Sequence, residues 1–209
     1  MEILLPLFIL IPLSAFVISL VLPSRAEGAL SKTAFIAAGV QVLFTACFTL
    51  AWLIQGQVDL NVKEVVVYRS PCYEFFIDLY FDRVSAHFLL VGALLTFMIT
   101  IYSRYYLHRE TGFKRFFNTV LFFFTGYSIT VLSGNFETLF LGWEVLGISS
   151  FLLIAYYRDR YLPVKNALKV FSIYRVADVG LILAMWLSHH LWHENITFQK
   201  LHDSVLVHE

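Results

Sequence analysis

A single carboxylic acid, Glu144, sits near the middle of the apolar run Phe136–Tyr157. A charge at the centre of a bilayer costs about 2.5–3.5 kcal/mol on insertion scales, so an acid there calls for a reason. Two readings are open. Glu144 is a protonatable relay group or ion-pair partner inside a helical bundle, or it is a buried polar contact that only holds two helices together. Gly142, Gly147, Ser149 and Ser150 surround it. Residues this small let a neighbouring helix come close or leave room for water. The next apolar run, Val164–His189, carries Lys169, Arg175 and Asp178. Arg175 and Asp178 stand at i,i+3, share a helical face and partly neutralise each other. Such a pair belongs in a bundle interior rather than against lipid. Ser172 extends this polar stripe. Lys165 reads as a snorkelling lysine. Lys169 is an accessory candidate, and so is His87, early in the third apolar run, as a residue bordering a water-filled path. Glu144 on one helix with Arg175 and Asp178 on the next forms a buried charge constellation. Movement of a partner charge changes the proton affinity of a carboxylate, which is the physical minimum for a proton relay driven from a distance.

The remaining reactive residue types suggest less. His189, His190 and His193 form an HHxxH cluster whose outer members have the i,i+4 spacing that zinc uses on helices. No acid of a metalloprotease motif lies between them, and they fall at a membrane boundary. They read as interfacial histidines, and no metal site is expected. Cys47 and Cys72 make neither a disulfide framework nor a metal motif and read as lone buried thiols. The sequence holds no Gly-rich dinucleotide loop, no cysteine cluster and no histidine pair placed for haem, so no cofactor is expected.

The elements that must position these residues follow from composition. The chain is 59% hydrophobic and 14% charged, against roughly 25% charged in soluble domains, the balance of an integral membrane protein. Net charge is zero, with 15 basic and 15 acidic residues, and there is no basic excess for nucleic acid. The predicted fold is an all-α polytopic membrane helical bundle, with residues 1–209 as a single transmembrane domain. Six spans are expected, at Leu4–Leu22, Thr33–Ile54, Val84–Tyr106, Phe116–Leu132, Phe136–Tyr157 and Val164–His189. A small external β-hairpin is predicted from Val65–Tyr68 and Phe75–Leu79 about Ser70-Pro71. The first span lacks a basic n-region, is too long for a signal-peptide core, and reads as permanent, with a kink at Pro12. His190–Glu209 reads as a polar tail. Basic residues fall on alternate loops: Arg25 and Lys32; Arg104, Arg109, Lys114 and Arg115; Arg158, Arg160 and Lys165. The positive-inside rule puts these three loops in the cytoplasm and both ends of the segment outside it.

Leu141–Tyr157 (LGWEVLGISSFLLIAYY), followed by Lys165–Leu183 (KNALKVFSIYRVADVGLIL), resembles the fifth and sixth helices of the antiporter-like membrane subunits. These are chain 5 of proton-pumping NADH:quinone oxidoreductase and its relatives in multisubunit sodium/proton antiporters, membrane-bound hydrogenases and inorganic-carbon transporters. Tyr102–Phe117 (YSRYYLHRETGFKRFF) is also similar to the family's pattern between the third and fourth helices. The resemblance implies that Glu144 is the family's proton-channel glutamate, and that Arg175 and Asp178 are the charged pair implicated in coupling between subunits. It further implies an N-terminal portion of a longer subunit in the cell's inner membrane, partnered by other membrane subunits and by a soluble cytoplasmic subunit. Such a subunit translocates protons and has no redox centre of its own. The chain departs from the chain 5 pattern before the third span, with Asp82-Arg83-Val84-Ser85 in place of Asp-Gly-Leu-Ser. A cation-conducting partner of an inorganic-carbon transporter, a sodium/proton antiporter subunit and a non-conducting structural subunit therefore stand as alternatives to the respiratory pump.

Overall fold

The apolar runs form helices, joined on one side by a two-stranded hairpin. The computed structural model describes residues 1–70, 73–192 and 197–201. A 3-10 turn at Glu2–Leu4 leads into α1 (Leu7–Val21) and α2 (Glu27–Ile54). Strands β1 (Leu60–Ser70) and β2 (Tyr73–Phe81) follow, then α3 (Arg83–Tyr106), α4 (Phe113–Val131), α5 (Phe136–Ile154) and α6 (Tyr161–Trp192). Among the described residues, five segments are long and apolar enough to cross a membrane, Glu2–Val21 counting as one. The fourth predicted span is a helix but is not among them, because Lys114, Arg115 and Asn118 occupy its first two turns. Its position explains the tolerance. α4 packs against α1, α2, α3 and α5, so less of its surface must be apolar enough for lipid. α6 lies at the opposite extreme: among the described residues it packs chiefly on α5, and most of its length is uncovered.

Several predicted boundaries shift outward. α2 begins at Glu27, inside the expected loop, with an acid in its first turn where the helix dipole favours one. α1 runs unbroken through Pro12. The hairpin is longer than predicted, with antiparallel register from Leu60↔Phe81 to Ser70↔Tyr73 and irregularities at Lys63/Val65 and Val66/Tyr68. Cys47 is exposed, contrary to the buried thiol expected. The buried positions of α2 run Ala38, Gln41, Thr45, Phe48 and Trp52, and Cys47 falls off that stripe. The turn at Pro71-Cys72, His193 and the tail beyond Leu201 lie outside the described residues.

Two clusters hold the bundle. At the hairpin end, Phe81 sets its ring edge-on to Phe48 and Trp52, with centroids 5.0 and 5.3 Å away. At the other end Leu30, Phe113, Phe117 and Leu121 pack with Tyr156. There the helix termini are tied together. Lys114 Nζ donates to the Leu20 and Leu22 carbonyls at the end of α1, at 2.8 and 2.6 Å, and Arg115 Nη2 donates to the Tyr156 carbonyl just past α5. The three predicted basic loops thus share one end of the bundle. The α4–α5 pair that carries Glu144 is close enough to need glycine. A Cβ on Gly142 would lie 2.6 Å from the Thr130 backbone nitrogen, and one on Gly126 3.0 Å from that of Leu146.

The hairpin clamps the α4–α5 turn. Gly134 N donates to Asp78 O, Tyr80 N to Leu132 O, and Asn135 Nδ2 to Phe76 O, while Asp78 N donates to Thr138 Oγ1. Asp78 ends 1% exposed, with Oδ2 buried and lacking a hydrogen-bond donor. Burial pushes its carboxyl up to about 6, against the opposing pull of Lys63, its cross-strand neighbour. Glu137, in the first turn of α5, is buried on the same side. A carboxyl whose native pKa exceeds its unfolded value gives its full contribution below the unfolded pKa and loses it as pH rises through the native one. Asp78→Asn should therefore stabilise the protein above pH 6, on the order of 1–3 kcal/mol for an orphaned buried acceptor. The advantage should vanish toward pH 4. Thermal unfolding of both forms across that range checks this, and a difference independent of pH would contradict it.

Candidate functional site

Asn135 caps α5 by accepting from Thr138 N at 2.8 Å, which starts the helix that carries Trp143, Glu144 and Gly147. α6 lies along α5 and brings Arg175 to Glu144. Nη1 of Arg175 sits 2.5 Å from Glu144 Oε2, and Nε sits 3.0 Å from Asp178 Oδ2. The second contact lies within ion-pair range but lacks hydrogen-bond alignment, so it is a Coulombic contact. Gly147 makes room for the guanidinium, since a Cβ there would stand 3.3 Å from Nη2. The Phe171 ring lies 4.9 Å from the guanidinium carbon, one turn earlier on α6. Trp143 Nε1 donates to Asp178 Oδ1 at 2.8 Å.

The cluster is one cation shared by two carboxylates. Their environments differ. The Asp178 side chain is 6% exposed and the Glu144 side chain 21%, with Arg175 at 37%. Asp178 is fixed by an indole and the arginine, whereas Glu144, among the described residues, depends on the arginine alone. A cavity of about 230 Å³ borders the cluster, lined by Tyr127, Trp143, Gly147, Ser150, Arg175 and Asp178 among others. Its lining is mostly apolar, with Phe123, Leu146 and Tyr174 completing the wall.

The structure thus brings Glu144, Arg175 and Asp178 together and leaves the accessory candidates apart. Lys169 is exposed on α6, away from Arg175. His87 is exposed on α3, with Nδ1 against the Arg83 carbonyl. Ser172 does not extend the charged stripe. It faces outward and donates to the Leu168 carbonyl of its own helix. Trp186 stacks on His190, with centroids 5.4 Å apart. Trp143 is the participant that the charge pattern missed. The signal for it was its indole N–H, which needs an acceptor when placed inside a membrane run.

Two family models match. One, described as NADH-ubiquinone oxidoreductase (complex I), chain 5 N-terminus, covers residues 72–117. The other, described as NADH:quinone oxidoreductase/Mrp antiporter, transmembrane, covers residues 133–207 and hence the whole charge cluster. The chain belongs to the antiporter-like membrane subunits. NADH-quinone oxidoreductase subunit L of Neisseria meningitidis is 33% identical over 137 residues, covering 65% of this chain and 18% of that protein. The subunit L of Buchnera aphidicola is 29% identical over 203 residues, covering 93% of this chain and 32% of that protein. The chain therefore spans between about a fifth and a third of the length of these curated relatives. A chain of the membrane-bound sulfane sulfur reductase, an archaeal respiratory membrane complex, shares the fold with a TM-score of 0.72 at 17% identity, over 91% of this chain and 37% of that one. Together with the apolar helices, these likenesses make the chain a multi-pass membrane protein.

Proposed function

We propose that the chain is the N-terminal part of a proton-translocating subunit in a multisubunit energy-converting membrane complex, with Glu144 as relay and Arg175 and Asp178 as its control. The observation that carries this is the sharing of Arg175 between two carboxylates on adjacent helices. The guanidinium lies between the two carboxylates, so a small displacement shifts its contact from one to the other. A displacement of α6 against α5, imposed by a neighbouring subunit, would then load or unload Glu144. Among the described residues α6 packs chiefly on α5, which leaves it free to contact such a subunit and to move with it. The names of the relatives, quinone oxidoreductase subunits, favour a respiratory pump over the antiporter and inorganic-carbon alternatives. Proton uptake into vesicles carrying the assembled complex tests the assignment, with the Glu144 variants argued in the Discussion.

The basic end of the bundle faces the cytoplasm in this reading. In a chain with Cys47 and Cys72 replaced by serine, single cysteines at the exposed positions Ser24 and Thr111 should resist an impermeant reagent applied outside intact cells. One at Gln55, on the hairpin side, should react. Labelling of Thr111→Cys from outside would invert the topology.

A further inference from the structure

We propose that the basic end of the bundle binds a phospholipid with a phosphoethanolamine headgroup, in the cleft between α1, α4 and α5. The cleft has a volume of about 710 Å³. Lys114, Arg115 and Arg158 contribute cations to its lining, and Glu27 and Glu110 contribute carboxylates. Of the carboxylates, Glu27 already meets His108 Nδ1 at 3.1 Å, which leaves Glu110 for an ammonium, while Arg158 offers its guanidinium to a phosphodiester.

The polarity of the cleft runs in the same sense as that of a lipid. The charged residues lie at the helix ends. Deeper along α1 and α4, Phe16 and Phe122 stack with centroids 4.9 Å apart and form an apolar wall with Leu20 and Leu152. Basic pockets between membrane helices hold lipid headgroups in this way. A free anion would gain nothing from the phenylalanines and would meet two carboxylates. A zwitterionic headgroup matches both signs of charge and leaves its acyl chain for the wall.

The full chain, purified in detergent, is titrated with phosphatidylethanolamine, with phosphatidylglycerol of the same acyl chains, or with inorganic phosphate, and binding is read by native mass spectrometry and thermal unfolding. Phosphatidylethanolamine should bind one to one and raise the melting temperature, phosphatidylglycerol should do so more weakly, and phosphate not at all. Arg158 and Glu110 are probed because Lys114 and Arg115 also tie helix ends. Arg158→Gln should weaken phosphatidylethanolamine binding about tenfold, the loss of one charge-assisted contact. Glu110→Gln should erase the preference between the two lipids. Equal binding of both lipids that ignores Arg158→Gln would mean a non-specific annular lipid. Stabilisation by phosphate alone would mean a free-anion site. Either result, or no binding by any of the three, overturns the proposal.

Discussion

Arg175→Gln is expected to be the most damaging single substitution in the charge cluster, lowering stability on the order of 3 kcal/mol. The reason is the sharing of Arg175 between Glu144 and Asp178. Its removal leaves two carboxylates close together in a low-dielectric setting with no counter-charge, and stripping the partner from a buried ion costs about 3–5 kcal/mol. Asp178→Asn is milder. The Glu144–Arg175 pair survives it, and the asparagine oxygen still accepts from Trp143. Combining Arg175→Gln with Asp178→Asn removes one of the stranded charges and should recover part of the loss. The cycle is read by thermal unfolding of the purified forms. Contacting charges give coupling energies of 0.5–3 kcal/mol, so simple additivity of the two single effects would deny the interaction.

Sequence alone treats Arg175 and Asp178 as a pair because i,i+3 spacing makes them neighbours on one helix. It also sets Glu144 in the same constellation but does not fix the contact itself, because the reach of Arg175 across to α5 depends on rotamers and on the gap at Gly147. The presence of a charged cluster was legible because ionisable residues are rare in apolar runs. Its internal allocation, with Asp178 braced by an indole and Glu144 held, among the described residues, by the arginine, was not. A similar limit applies to Asp78, which reads as one acid among several in a polar stretch. Only the docking of β2 on the α4–α5 turn buries it. Helix count and order were legible from hydropathy. The centrality of α4 was not, since that depends on which helices surround it. The bundle also shows why the exposure of Cys47 escaped a reading based on residue type. In lipid, an exposed thiol costs little, so burial in the membrane and burial in the protein are different statements.

Glu144→Gln is expected to abolish proton uptake by vesicles containing the complete complex while the complex still assembles. Glutamine keeps the size and hydrogen-bonding capacity of glutamate but cannot ionise. The structure explains why assembly should survive. The cluster holds one cation and two carboxylates, and neutralising Glu144 leaves Arg175 paired one to one with Asp178, the better-braced partner. Glu144→Asp keeps the ionisation but draws the carboxylate back by one methylene from the guanidinium it meets at 2.5 Å. It should retain a fraction of the uptake. A purely structural role predicts the reverse order, with glutamine tolerated and the shortened, displaced aspartate harmful. Assembly is checked on the same preparation, so that loss of the complex is not mistaken for loss of the relay. Normal uptake by the glutamine variant would end the case for Glu144 as a relay, and with it the mechanism in which a moving Arg175 sets its proton affinity.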